Sequence, residues 1–129
     1  MYKEVIISIV IIIGIFILNS ITQNYTEESL EIMSEMFNEI KEEIKNDNPN
    51  KEELSKKSDE ILKKWQTRSE ELAYYIEHDE LEKVDTYLVA LKSNIEREDY
   101  NKAAENLEIC EYVLDHIDDK EAFLLKNIF

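Results

Sequence analysis

The residues best equipped for chemistry are two histidines set among acids. His78 stands in Tyr74-Tyr75-Ile76-Glu77-His78-Asp79-Glu80 and His116 in Tyr112-Val113-Leu114-Asp115-His116-Ile117-Asp118-Asp119. Each follows an acid directly and a tyrosine by four positions, and 38 residues separate them. Imidazole and carboxylate groups gathered at adjoining helix ends could hold zinc or another divalent ion, which makes His78, Glu80, His116 and Asp118 the metal-ligand candidates. Histidine is also the side chain that titrates near neutral pH, so a proton-sensitive hinge is a second reading. The plainer role is structural: a histidine at a helix C-terminus meets the negative end of the dipole and donates to free carbonyls. The spacing favours that role, since the histidines are not at i, i+4 and no Glu-x-x-His of the di-iron bundle type occurs.

Other reactive groups read more simply. Cys110 falls on an apolar helix face, where a small buried thiol is ordinary, and a single cysteine forms no internal disulfide. Trp65 reads as a large packing residue. Asn24-Tyr25-Thr26 fits a glycosylation sequon but reads more simply as a helix start. No nucleophile with a base, no phosphate loop and no close metal-ligand pair stands in the sequence, so the chain reads as a non-enzyme with no cofactor.

What must position these residues starts with residues 5–21, VIISIVIIIGIFILNSI, which contain no ionisable side chain. As a helix this run is about 25 Å long, slightly short of a hydrocarbon core of about 30 Å. Tyr2 and Tyr25 bracket it at about 34 Å, a spacing that suits rings at the two headgroup levels. A cleaved secretory signal is the competing reading, but Asn19-Ser20-Ile21-Thr22-Gln23 lacks the small-x-small cleavage pattern, so an uncleaved anchor is expected. Lys3 and the amino terminus lie on one side of the run. The other flank holds Glu27, Glu28, Glu31, Glu35 and Glu39 with no base before Lys41. The positive-inside rule then puts the N-terminus in the cytoplasm and the rest outside.

Residues 22–129 carry 29 Asp and Glu against 14 Lys and Arg, hence the whole net charge of −15. Such a surface repels nucleic acid and anionic lipid and suits cations or basic partners. One Gly and one Pro in the chain argue against hairpins and sheets. Residues of one helix face recur at steps of 3 and 4, with a single step of 7 after Trp65, in four stretches: Leu30, Met33, Phe37, Ile40, Ile44; Leu54, Ser58, Ile61, Trp65, Leu72, Ile76; Leu81, Val84, Leu88, Leu91, Ile95; and Tyr100, Ala103, Leu107, Cys110, Leu114, Ile117. Phe37, Trp65, Leu88, Leu107 and Cys110 represent the expected core. Thr26 as N-cap, the stop at Asn46-Asp47-Asn48-Pro49, capping boxes at Asn50/Glu53 and Asp79/Glu82, and the acids Glu98-Asp99 and Asp118-Asp119 mark the ends. The spacing predicts helices over 26–46, 50–77, 79–97 and 99–117, followed by a short apolar tail.

The expected fold is therefore all-α: an N-terminal transmembrane helix, then an antiparallel up-down four-helix bundle with that tail. The expected domains are an anchor over 1–24 and an acidic extracytoplasmic bundle over 25–129. Residues 22–49 hold 8 acids and 2 bases and residues 98–129 hold 9 and 3. The first and fourth helices should therefore form one acidic wall, with Glu28, Glu35, Glu39, Glu105, Glu108 and Asp115. In the tail Phe123, Leu125, Ile128 and Phe129 are the candidate partner-docking residues, able to cover the end of the bundle, enter the membrane interface or fill a partner's groove.

Trp65, Ile76-Glu77-His78-Asp79-Glu80-Leu81, Asp115-His116-Ile117 and the ending Asn127-Ile128-Phe129 together resemble the domain of unknown function 4363 family, small membrane-anchored proteins of spore-forming Firmicutes. The resemblance covers nearly the whole chain. It implies a Gram-positive setting and a membrane partner but no mechanism. Glu82 departs from it, standing where a shorter Asp or Asn is expected. The function expected is a membrane-anchored, extracytoplasmic interaction or scaffold module that meets the bilayer and a membrane or envelope protein but no nucleic acid. The alternative is a divalent-cation or pH sensor built on the histidines.

Overall fold

The computed structural model describes residues 1–128, with side chains through Phe123. These form four α-helices and, among the described residues, no strand: α1 (Tyr2–Ile44), α2 (Lys51–Leu72), α3 (His78–Glu96) and α4 (Tyr100–Ile128).

The sequence signals divide α1 in two, and the structure does not. Its 43 residues make one rod about 65 Å long. Thr26, expected to begin a helix, lies inside α1 and is buried. No Gly or Pro stands between residues 15 and 44, and the hydroxyls follow the helix instead of competing with it. Thr22 Oγ1 donates to the Asn19 carbonyl at 3.0 Å and Thr26 Oγ1 to the Thr22 carbonyl at 2.8 Å. The division expected between residues 24 and 25 falls inside this continuous helix.

The turn after α1 follows its local chemistry. Asn50 Oδ1 accepts from the Glu53 amide at 3.2 Å, and Glu43 reaches back from α1 to accept from the Asn50 amide at 3.0 Å. α2 stops at Leu72, earlier than periodicity suggests. The amides of Tyr75 and Ile76 both fold back onto the Leu72 carbonyl, at 3.1 and 2.8 Å. α3 begins at His78 with Glu77 as N-cap and no side-chain cap, so the Asp79/Glu82 capping box does not form. Glu82 instead faces His78 at 3.0 Å, and Glu77 is engaged by Lys120 at 2.6 Å. Between α3 and α4, Glu98 takes a left-handed φ of 59°, the Asp99 amide closes on the Asn94 carbonyl at 2.9 Å, and Asp99 Oδ1 caps α4 through the Lys102 amide at 3.3 Å.

The expected stop at Asp118-Asp119 is also absent, and α4 continues to Ile128. Acids alone do not end a helix when no Gly or Pro follows, and Lys120 ties this extension to the start of α3. The apolar tail is thus the last part of α4. Of the docking candidates, Phe123 is exposed, while the side chains of Leu125 and Ile128, and Phe129 altogether, lie outside the described residues.

Each helix packs on its neighbour in sequence, and α4 returns to α1; among the described residues α1 does not approach α3, nor α2 approach α4. The buried set inside this ring includes Phe37, Trp65, Leu88, Leu107 and Cys110. Each fully buried large apolar side chain contributes about 1.5–3 kcal/mol, the driving force that holds the four amphipathic faces together. Residues 1–18 lie outside this core and are exposed.

Candidate functional site

The chemistry-bearing residues gather where α1 leaves its apolar run. Tyr75, in the turn between α2 and α3, reaches α1: its hydroxyl donates to the Thr22 carbonyl at 3.1 Å and, at 2.9 Å from Thr26 Oγ1, shares that hydroxyl's one proton with the same carbonyl. Burial raises the Tyr75 phenol above its ordinary range despite that bond from Thr26, keeping it a neutral donor. One turn back on α2, Arg68 lies over the Tyr25 ring at 5.0 Å and approaches Glu28 at 3.6 Å. These contacts fix the helical domain to α1 within a turn of the uncharged segment.

The histidines stand on the far side of the same end. His116 Nδ1 is 3.5 Å from Glu80 Oε1, and Lys120 lies 3.9 Å from the same oxygen while bonding Glu77 at 2.6 Å. Bonded by Lys120, the Glu77 carboxyl falls below its usual range. His78 meets Glu82 on its own helix and is 78% exposed on its side chain. Asp118 turns elsewhere: burial raises its pKa, and Glu27 of α1 and its own neighbours Asp119 and Asp115 add to the rise. Of the four metal-ligand candidates, the structure brings together His116 and Glu80 only. Among the described residues no group of three His, Cys, Asp or Glu side chains is arranged to hold a metal ion.

A polar pair inside the core escaped the reading of motifs. Trp65, fully buried on α2, turns its indole toward Asp85 of α3, yet neither Trp65 Nε1 nor Asp85 Oδ1 completes a hydrogen bond. Burial raises the Asp85 carboxyl, opposed by Trp65 and His78 and reinforced by Glu82. A signal existed: Asp85 follows Leu81 by four, at the margin of the α3 buried face, and a buried indole N–H needs a partner. Cys110 is fully buried, and desolvation pushes its thiol up to about 12, far from thiolate chemistry.

The acidic wall is only partly assembled. α1 and α4 do adjoin, and a small cleft between them is lined by Leu30, Ser34, Asn38, Glu111 and Asp115. Lys41 neutralises Glu111 there, and Glu28 points to Arg68 of α2. On its outer face α4 presents Tyr112, Asp115, His116 and Asp119 along one open groove.

The first helix is the one element long and apolar enough to cross a membrane among the described residues, with a window of mean hydropathy 2.7 and none of that window buried. Comparison with known families finds one described as Domain of unknown function (DUF4363), matched over residues 20–128. No curated protein and no solved structure matches the chain.

Proposed function

The chain belongs to the DUF4363 family of domains of unknown function, and on that footing we propose that it is a membrane-anchored, non-enzymatic interaction module. In this reading α1 crosses the bilayer with its N-terminus in the cytoplasm. The remaining helices form an antiparallel up-down bundle outside, which docks on another membrane or envelope protein.

The observation that carries this reading is the continuity of α1. One unbroken helix is fully exposed and apolar over its first part and then supplies Met33, Phe37 and Ile40 to the core. A helix of that kind needs lipid on one half and its own domain on the other. Pairs across the helices support the antiparallel order, because partner numbers rise on one helix as they fall on the next. Tyr75 with Thr22 and Arg68 with Glu28 join α2 to α1, Asp59 with Lys92 and Lys51 with Glu98 join α2 to α3, and Asn94 with Asn106 and Glu80 with His116 join α3 to α4. The α4 groove at Tyr112, Asp115, His116 and Asp119 suits a partner with a basic, partly apolar surface, in keeping with the net charge of −15.

Two measurements test it. Protease added to intact wall-less cells is expected to remove the helical domain, and survival of the domain until lysis would reverse the orientation. Lysine-directed cross-linking in native membranes, followed by identification of the captured protein, is expected to yield a membrane or envelope protein whose capture Tyr112→Ala weakens; capture unaffected by that variant would move the docking face elsewhere.

A further inference from the structure

The helical domain overlaps the apolar run of α1 instead of standing clear of it. Along α1 side-chain exposure first falls at Asn19, two positions before the apolar run ends at Ile21. The Tyr75 hydroxyl bonds the carbonyl of Thr22, so the turn between α2 and α3 sits at the same level. On the other flank Ser34 and Asn38 of α1 face Glu111, Leu114 and Asp115 of α4 across their cleft, and Glu27 acts on Asp118. At about 1.5 Å per residue that register brings the α4 backbone, which continues to Ile128, level with about residue 20 of α1.

Two large aromatics stand at this end without entering the core. Tyr74, beside the turn, is 84% exposed, and Phe123, in the last part of α4, is 64% exposed. Singly exposed aromatics are ordinary on a soluble surface, and it is their level on α1 that gives these two a meaning. Next to a crossing helix they have a ready place, since a phenol ring is suited to the headgroup boundary and a phenyl ring to the acyl region just below it. The sequence from Phe123 onward, FLLKNIF, continues that apolar character. The acids at the same end, Glu71, Glu77 and Glu121, oppose anionic headgroups, so the surface fits zwitterionic or neutral lipid.

We propose that the end of the helical domain marked by Tyr74 and Phe123 is a second membrane contact, seated in the interfacial zone of the same bilayer that α1 crosses. This rests on the reading of α1 as a span. The domain is then held against the bilayer at three points, α1, the turn after α2 and the end of α4, with a fixed tilt, so the α4 groove is presented to partners within the membrane plane and not to soluble ones above it.

The test uses the full chain with Cys110→Ala, reconstituted in phosphatidylcholine vesicles and spin-labelled at single cysteines: Tyr74→Cys, Phe123→Cys, Val89→Cys and Ile13→Cys. Every labelled site is exposed, so the label displaces no core contact. Val89 serves as the aqueous reference, about 16 Å along α3 from the turn. Collision with lipid-soluble oxygen relative to a water-soluble nickel chelate reads the depth of each label. The expected result is a ratio severalfold higher at Tyr74→Cys and Phe123→Cys than at Val89→Cys, and highest at Ile13→Cys. Ratios at the two aromatic sites equal to that at Val89→Cys, with Ile13→Cys still deep, would overturn the second contact and leave the span intact. A water-like ratio at Ile13→Cys would overturn the span itself and the contact with it.

Discussion

At the scale of single residues, Trp65 carries the largest share of the core and its least resolved polar group. Its ring is fully buried, but its indole N–H and the facing Asp85 carboxylate oxygen both lack a completed bond. Truncation removes a large packing volume that the neighbouring helices cannot fill, so Trp65→Ala is expected to cost about 3–5 kcal/mol in denaturant unfolding. A loss below about 1 kcal/mol would mean that the site collapses freely around the missing ring. The histidines are at the other extreme. His78 and His116 are largely exposed, and each faces one glutamate, Glu82 and Glu80 respectively. The His78–Glu82 pair, exposed on both sides, contributes little to stability, while His116 meets a mostly covered Glu80 at 3.5 Å.

At the scale of elements, the tie between the turn after α2 and the start of the covered part of α1 is what makes the apolar segment and the helical domain one body. Tyr75→Phe removes the hydroxyl that bridges the Thr22 carbonyl and Thr26, while keeping the ring. Thermal unfolding of the full chain should show a loss of about 1–2 kcal/mol, because the buried Thr26 hydroxyl and a backbone carbonyl each lose one of their partners. No loss would show that α1 keeps its place through packing alone. This tie was illegible in the sequence, because Tyr75 and Thr22 are 53 residues apart and neither belongs to a motif. By contrast the buried face of α3, Leu81, Val84, Leu88, Leu91 and Ile95, is plain in its spacing, since a regular step of 3 and 4 is what packing demands. Helix ends were read less well. Thr26 and Asp118-Asp119 resemble a start and a stop only locally; the cross-chain bonds of Thr26 and Lys120 let the helices run through them.

At the scale of the whole molecule, acid should stabilise this protein before it destroys it. Asp85, Asp118 and Glu121 all have raised carboxyl pKa values, each chiefly through burial, with neighbouring Glu82, Glu27 and Glu80 respectively adding to the rise. A folded-state pKa above the unfolded one means that the folded chain binds the proton first. Stability therefore increases as pH falls through the raised values and stops increasing below the ordinary carboxylate range. Glu77, lowered by its bond to Lys120, works the other way, losing its contribution as pH falls through its depressed value, but it is exposed and single. Relief of self-repulsion in a chain of net charge −15 acts in the same direction as the three raised carboxyls. Calorimetry of the full chain in phosphatidylcholine nanodiscs should show Tm rising as pH falls from neutral toward the carboxylate range, with Asp118→Asn raising Tm at the neutral end and flattening part of the slope. The double variant His78→Ala with His116→Ala removes the imidazoles from the profile, so a rise that persists in it belongs to the carboxyls. A Tm that falls steadily over that interval in the double variant would mean that the carboxylates at the α1 and α4 boundary and beside Trp65 are better solvated than their burial implies, and that the acidic surface, not the interior, sets the response to pH.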